Sequence, residues 1–332
     1  MSDGTRTRDR LDHNQELYLL SYAHHVPPSA TSQRLPSEAM TDLGIDGFEY
    51  ADVGVGDSTY RLGVAGDGPA VLLLHGFPQY HYCWHAVGPA LTGEHTVVVC
   101  DLKGCGEGSA PQGGPLGEGY SKREIAAEIV EAMRSAGFAR FAVVGHDRGG
   151  RVAYRMALDH PDDVTRLAVL NIVPTSDQFE RMAEAVALDY YPWYLLAQPA
   201  PLPERLLGGS AEYFIRHVME SWTADSAAID DRAVDRYVRA FTPDAIAAWC
   251  SEYRAAFHTD RHLDAEDRGA GRTIDCPVLV HWGAAEEGMS DGPLAVWRRW
   301  ADRVEGGALR SGHFIPEEAA GALGESLRRF LA

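Results

Sequence analysis

Asp147 stands between Gly145 and Gly149 in "GHDRGGR" (145–151), directly after the apolar run "FAVVG" and before "GRVAYRMALDHP", whose spacing is helical. Glycines on both sides of a reactive side chain are what a tight strand-to-helix turn needs, because no side chain fits there. The turn lifts the carboxylate to its apex. A carboxylate so presented attacks a saturated carbon that bears a leaving group and becomes an alkyl ester. Acyl substrates would give a mixed anhydride, so ordinary ester cleavage is not expected. Freeing the ester takes a base-activated water and an oxyanion hole. The backbone N–H groups of Arg148, next after the nucleophile, and Phe77, after "LLLHG", are placed for that hole. Losing one such donor costs about 3–4 kcal/mol of transition-state stabilisation.

Sites built on this turn run nucleophile, acid, base along the chain. "LRSGHFIPEE" puts His313, one of 14 histidines, between a last short strand and the C-terminal helix, where the base belongs. His75, His85 and His146 lie nearer the turn in sequence but read as strand-end and loop residues. The orienting acid has two candidate positions. One is Asn171, after "RLAVLNIVP"; an amide orients an imidazole but does not stabilise an imidazolium by charge. The other follows "PVLVHWG", where Glu286 is the better candidate and Glu287 and Asp291 are substitutes.

Apolar runs of strand length alternate with helix-period segments, which predicts an α/β fold with a mostly parallel sheet flanked by helices. "FEYADV" and "TYRLGVAG" read as a paired start. "AVLLLHG" and "HTVVVCD" read as buried parallel strands with the helical "YCWHAVGPAL" between them. "SKREIAAEIVEAMRSAG" opens with a capping box, Ser121 to Glu124, and closes at Gly137. "PEEAAGALGESLRRFLA" reads as the last helix. Residues 174–272 are helical and rich in aromatics. They form an insertion before the penultimate strand, at the sheet edge where open α/β folds bind ligands. The expected organisation is therefore an arm over 1–44, with a short helix near 11–22, a core over 45–173 and 273–332, and a helical cap over 174–272.

With 332 residues, 45% hydrophobic and 23% charged, the chain has the composition of a globular enzyme. A net charge of −18 and a pI near 5.1 argue against nucleic acid or an anionic membrane as partner. The five cysteines have neither C-x-x-C nor metal-site spacing, and no segment resembles a secretory signal or membrane span. The expectation is a cytoplasmic enzyme, with a homodimer allowed for, acting without metal or cofactor on a small aromatic or anionic substrate.

"HGFPQ" (75–79), "DLKGCGEG" (101–108), "GHDRGGR", "LAQPAPLPERLLGG" (196–209) and "SGHFIPEE" (311–318) resemble the Asp-nucleophile branch of the α/β-hydrolase superfamily over roughly residues 45–332. That branch holds epoxide hydrolases and haloacetate dehalogenases. "HDRGGR" and "AQPAPLPE" are most similar to haloacetate and fluoroacetate dehalogenases. The resemblance implies that Arg148 and Arg151 bind a substrate carboxylate; position i+4 puts Arg151 one helical turn from Asp147. It also implies leaving-group donors at Trp193 and Tyr253. Two departures follow: Pro192 replaces the histidine of the halide site, and Asn171 occupies the acid position. Fluoride leaves poorly without several donors, whereas an epoxide oxygen stays tethered and needs fewer. The sequence thus reads first as an epoxide hydrolase, second as a 2-haloacid dehalogenase, and third as a binding protein on the same scaffold.

Overall fold

A computed structural model describes residues 44–182, 184–286 and 292–332. The expected arm and its short helix, and the substitutes Glu287 and Asp291, lie outside them. The described residues fall in one compact unit, which does not separate the expected core from the expected cap.

Among the described residues, eight strands form one sheet in the order β1-β2-β4-β3-β5-β6-β7-β8. β1 (Glu49–Val55) and β2 (Ser58–Ala65) make an antiparallel hairpin over Gly56, whose φ of 57° favours glycine. β2 also pairs antiparallel with β4 (Thr96–Cys100). The other pairs are parallel: β3 (Ala70–Leu74), β5 (Phe141–His146), β6 (Val164–Leu170), β7 (Val278–Gly283) and β8 (Val304–Leu309). Val71–Leu74, Val97–Cys100 and Phe141–Val144 are buried, as continuous apolar strands covered on both faces must be.

Register aligns the strand ends. Leu74 pairs with Gly145, His146 with Leu170, and Leu170 with His281. The residues that follow, Phe77, Asp147, Asn171 and Glu286, therefore emerge along one edge of the sheet. Among the described residues the chain between β6 and β7 contains no strand, only helices from Thr175–Glu180 to Arg261–Gly269. Arg155 and Tyr154, on the helix that follows Asp147, bind Asp264 of that last helix at 3.3 and 2.7 Å. The insertion is thereby fastened to the helix Asp147–Asp159.

Two helix expectations need correction. "YCWHAVGPAL" is not one helix but a 3₁₀ turn, His81–Trp84, followed by Val87–Leu91. The His81 N–H and Nδ1 are instead drawn to the buried Asp101 carboxylate at 2.9 and 2.8 Å. The C-terminal helix is broken at Ala319 into Ile315–Glu318 and Ala320–Leu331. Glu318, the last residue before the break, accepts from the Gly312 and Phe314 N–H groups. The Ser121–Glu124 capping box is present.

Candidate active site

The turn at Asp147 is held open by the absence of side chains around it. A Cβ on Gly145 would meet the Gly149 carbonyl at 2.4 Å, and one on Gly149 would meet that of His75 at 2.3 Å. Asp147 itself has φ 46°, and Asn171, at the end of β6, has φ 59°. Among the described residues these are the only non-glycines with positive φ, and both lie beside His313. Strain of this kind costs of order 1–3 kcal/mol per residue and persists where surrounding packing fixes it. Asp and Asn tolerate the left-handed region better than most residues.

Phe77 donates its backbone N–H to Asp147 Oδ1 at 2.9 Å. Its ring is held by cap aromatics, 5.3 Å from Trp249 and 5.5 Å from Tyr253, both edge-on. Packing against these aromatics of the inserted helices thus fixes Phe77, whose N–H reaches Asp147. With Oδ1 engaged, Oδ2 is the oxygen turned toward His313, 3.9 Å from Nε2. Burial opposes ionisation of Asp147, but His313, Arg148 and Arg151 outweigh it and hold the carboxyl below its usual range.

Both acid candidates converge on His313. Glu286 Oε2 is 3.4 Å from Nδ1, and the Asn171 amide nitrogen is 2.7 Å from the same atom. The amide is oriented by its neighbours, since Oδ1 accepts from Gly283 N–H and Nδ2 donates to Glu286, each at 3.0 Å. Tyr190 donates to the other Glu286 oxygen at 2.5 Å. Burial disfavours the imidazolium, but Glu286 and Asp147 prevail and raise the His313 pKa. Glu286 in turn is lowered: burial acts against it, and the bonds from His313, Tyr190 and Asn171 overcome that. His146 and His75 are braces. His146 Nε2 bonds the His313 carbonyl at 2.8 Å, and the Leu102 N–H donates to His75 Nε2 at 2.9 Å. Burial lowers their pKa values to about 3 and about 4, so both are neutral.

Glu286 supplies the charge that Asn171 lacks. Glu286→Gln is expected to slow ester hydrolysis by roughly 10²–10³-fold and move its acid limb to lower pH, because the His313 pKa falls. Single-turnover rates across pH check this; an unmoved limb would count against the pairing.

Opposite Asp147, Arg148 and Arg151 stack on the Trp193 ring at 4.6 and 4.5 Å, and Arg148 also lies 4.0 Å from the Tyr253 ring. Sequence reasoning missed Glu252. It takes Arg148 Nε on both oxygens, at 2.9 and 2.6 Å, and also binds the buried Lys122. Its position beside Tyr253, on the helix Pro243–Ala255, was a usable signal. Arg151 donates to the Val173 carbonyl at 2.9 Å. Arg148 Nη1 and Arg151 Nε are buried without a hydrogen-bond partner. Tyr253 is pushed well above the usual phenol value by burial, then by Asp147, and stays an O–H donor. Tyr190 was also missed; it lies one helical turn before Trp193.

The family model described as alpha/beta hydrolase fold matches residues 69–320. The chain belongs to the α/β-hydrolase family. Within it, the chain is similar to a fluoroacetate dehalogenase of Burkholderia sp, at 42% identity over 86% of this chain and 95% of that one. A soluble epoxide hydrolase of Corynebacterium sp. (strain C12) is 29% identical, over 81% and 92% of the two chains. An α/β hydrolase from Nostoc sp PCC 7120 superimposes with a TM-score of 0.82 at 42% identity, covering 86% and 98%. The family places the protein among hydrolases, in the aspartate-nucleophile branch. No described helix is long and apolar enough to cross a membrane.

Proposed function

We propose that this α/β hydrolase cleaves the carbon–halogen bond of a short 2-haloacid through a covalent ester on Asp147. One observation carries the reading: two buried guanidinium groups beside Asp147 keep N–H groups without partners, although Glu252 has claimed the rest of Arg148. An unpaired buried N–H is costly, and a substrate carboxylate would satisfy both. The likeness to a fluoroacetate dehalogenase supports the same choice.

In the first step Asp147 Oδ2 bonds the saturated carbon, the carbon–halogen bond breaks, and halide leaves toward Trp193 N–H and Tyr253 O–H. Pro192 adds no donor there, so chloride and bromide should depart more readily than fluoride. In the second step His313 Nε2 takes a proton from water, whose oxygen bonds Asp147 Cγ. Negative charge gathers on Oδ1, facing the N–H groups of Phe77 and Arg148. The Cγ–Oδ2 bond then breaks, and the proton passes from His313 to the departing hydroxyl. No cofactor or metal takes part in this scheme.

Epoxide opening is the second reading. It is favoured by Glu286 standing after β7 and by the thin donor set at Pro192, since a tethered alkoxide needs fewer donors. Chloroacetate, fluoroacetate and styrene oxide, incubated side by side in heavy-oxygen water, separate the two readings. Chloride release is expected, with first-turnover product carrying an unlabelled enzyme oxygen. No halide at high enzyme loading, with diol formed from the epoxide, would replace the first reading by the second.

A further inference from the structure

The loop that carries His313 is fastened on both flanks by one side chain. Glu318 accepts from the Gly312 N–H at Oε2 (2.8 Å) and from the Phe314 N–H at Oε1 (2.9 Å). Its Oε2 also accepts from the Ala224 N–H, at 2.8 Å. Ala224 lies just past the cap helix Ala211–Trp222. The His313 N–H itself donates to the Trp222 carbonyl at 2.9 Å, and the two rings lie 4.9 Å apart. A Cβ on Gly312 would meet the Trp222 carbonyl at 2.5 Å and the Ala224 nitrogen at 2.6 Å, so loop and cap backbones touch directly. Backbone N–H groups on three successive residues thus go to Glu318 or to the cap.

We propose that Glu318 is a positioning residue that clamps the His313 loop to the cap segment 222–224, and that it serves ester hydrolysis rather than ester formation. The inference rests on the two-step reading above. Its logic is geometric. The first step uses Asp147, held by the Phe77 N–H, together with the arginines and leaving-group donors of the pocket, and needs no base. His313 acts only in the second, with Nε2 3.9 Å from Asp147 and Nδ1 3.4 Å from Glu286. Letting the loop drift moves both ring nitrogens at once, and a displacement of about 1 Å can cost about 10²-fold in rate. Glu318 touches neither substrate nor the reacting atoms; it acts through the backbone on either side of the base. Because one of its three bonds crosses to the cap, the base is in place only when segment 222–224 is docked.

Full-length Glu318→Ala and Glu318→Gln test this by rapid quench and intact-protein mass spectrometry, with chloroacetate as probe, or styrene oxide if only the epoxide turns over. In Glu318→Ala, ester formation should stay within about threefold of wild type, while hydrolysis slows about 10²-fold and the Asp147 adduct accumulates. Glu318→Gln keeps an acceptor oxygen and should recover part of the loss. Equal slowing of both steps, or no slowing, overturns the proposal. If the alanine variant fails to fold, the glutamine variant decides on the same criteria. A substrate-free readout is the His313 ring titration by NMR: both variants remove the Glu318 charge, but the midpoint should fall further in Glu318→Ala, where Nδ1 leaves Glu286, and equal midpoints in the two variants count against the clamp. His313→Ala is the control. Without an adduct there, the two-step reading fails; with an adduct there but none in the Glu318 variants, only the clamp fails.

Discussion

Asp147→Asn should abolish turnover, by about 10⁵-fold or more, and no covalent adduct should form. The amide keeps the size of the side chain and tolerates the left-handed backbone at φ 46°. It has no anionic oxygen to attack carbon. A loss of that size equals about 7 kcal/mol of transition-state stabilisation, more than any single oxyanion donor contributes. Steady-state rates and intact-protein mass check the result, with circular dichroism as the control for folding. Turnover persisting in the amide variant would remove the nucleophile from the scheme.

The second large effect is expected at His313. His313→Ala should release about one equivalent of leaving group per active site and then stop, with the alkyl group retained on Asp147. Hydrolysis should fall about 10³–10⁴-fold, and ester formation by no more than about tenfold. The same logic sets the pH dependence in wild type. His313 must be neutral to take a proton from water, and Glu286 and Asp147 raise its pKa. Hydrolysis is therefore lost as pH falls through the pKa that His313 has in the ester, which Glu286 still raises. Asp147 is held below the usual carboxyl range, so ester formation should survive to lower pH than hydrolysis. Once esterified, Asp147 no longer holds the proton on His313, so the base is freed at the step that needs it. Burst kinetics across pH test this; a burst phase that fails at the same pH as hydrolysis would contradict it.

The placement of these groups was legible in the sequence to different depths. The elbow was fully legible, because two glycines around one acidic residue, after a strand and before a helix, leave the backbone almost no other course. The place of His313 beside Asp147 was legible from chain order alone. The partner of His313 was not: the sequence offered Asn171 or Glu286, and the folded chain uses both on one nitrogen. Such a shared contact depends on the parallel register that brings β6 and β7 to the same edge, and on a left-handed turn at Asn171. Arg148 and Arg151 were singled out by the family resemblance, with helix spacing in agreement, but Glu252, 104 residues from Arg148, was not.

The sequence by itself determined the α/β order of elements, the elbow, the place of His313 after the last strand and the helical character of the insertion, because these follow from local periodicity, glycine sterics and chain order. Tertiary structure alone decided which carboxylates neutralise the arginines, that a cap aromatic cluster fixes the Phe77 donor, and that Glu318 fastens the His313 loop. Those contacts join residues far apart in the chain. Local patterns specify where a strand or turn must be, but only packing of the insertion over the sheet edge chooses which buried charge meets which.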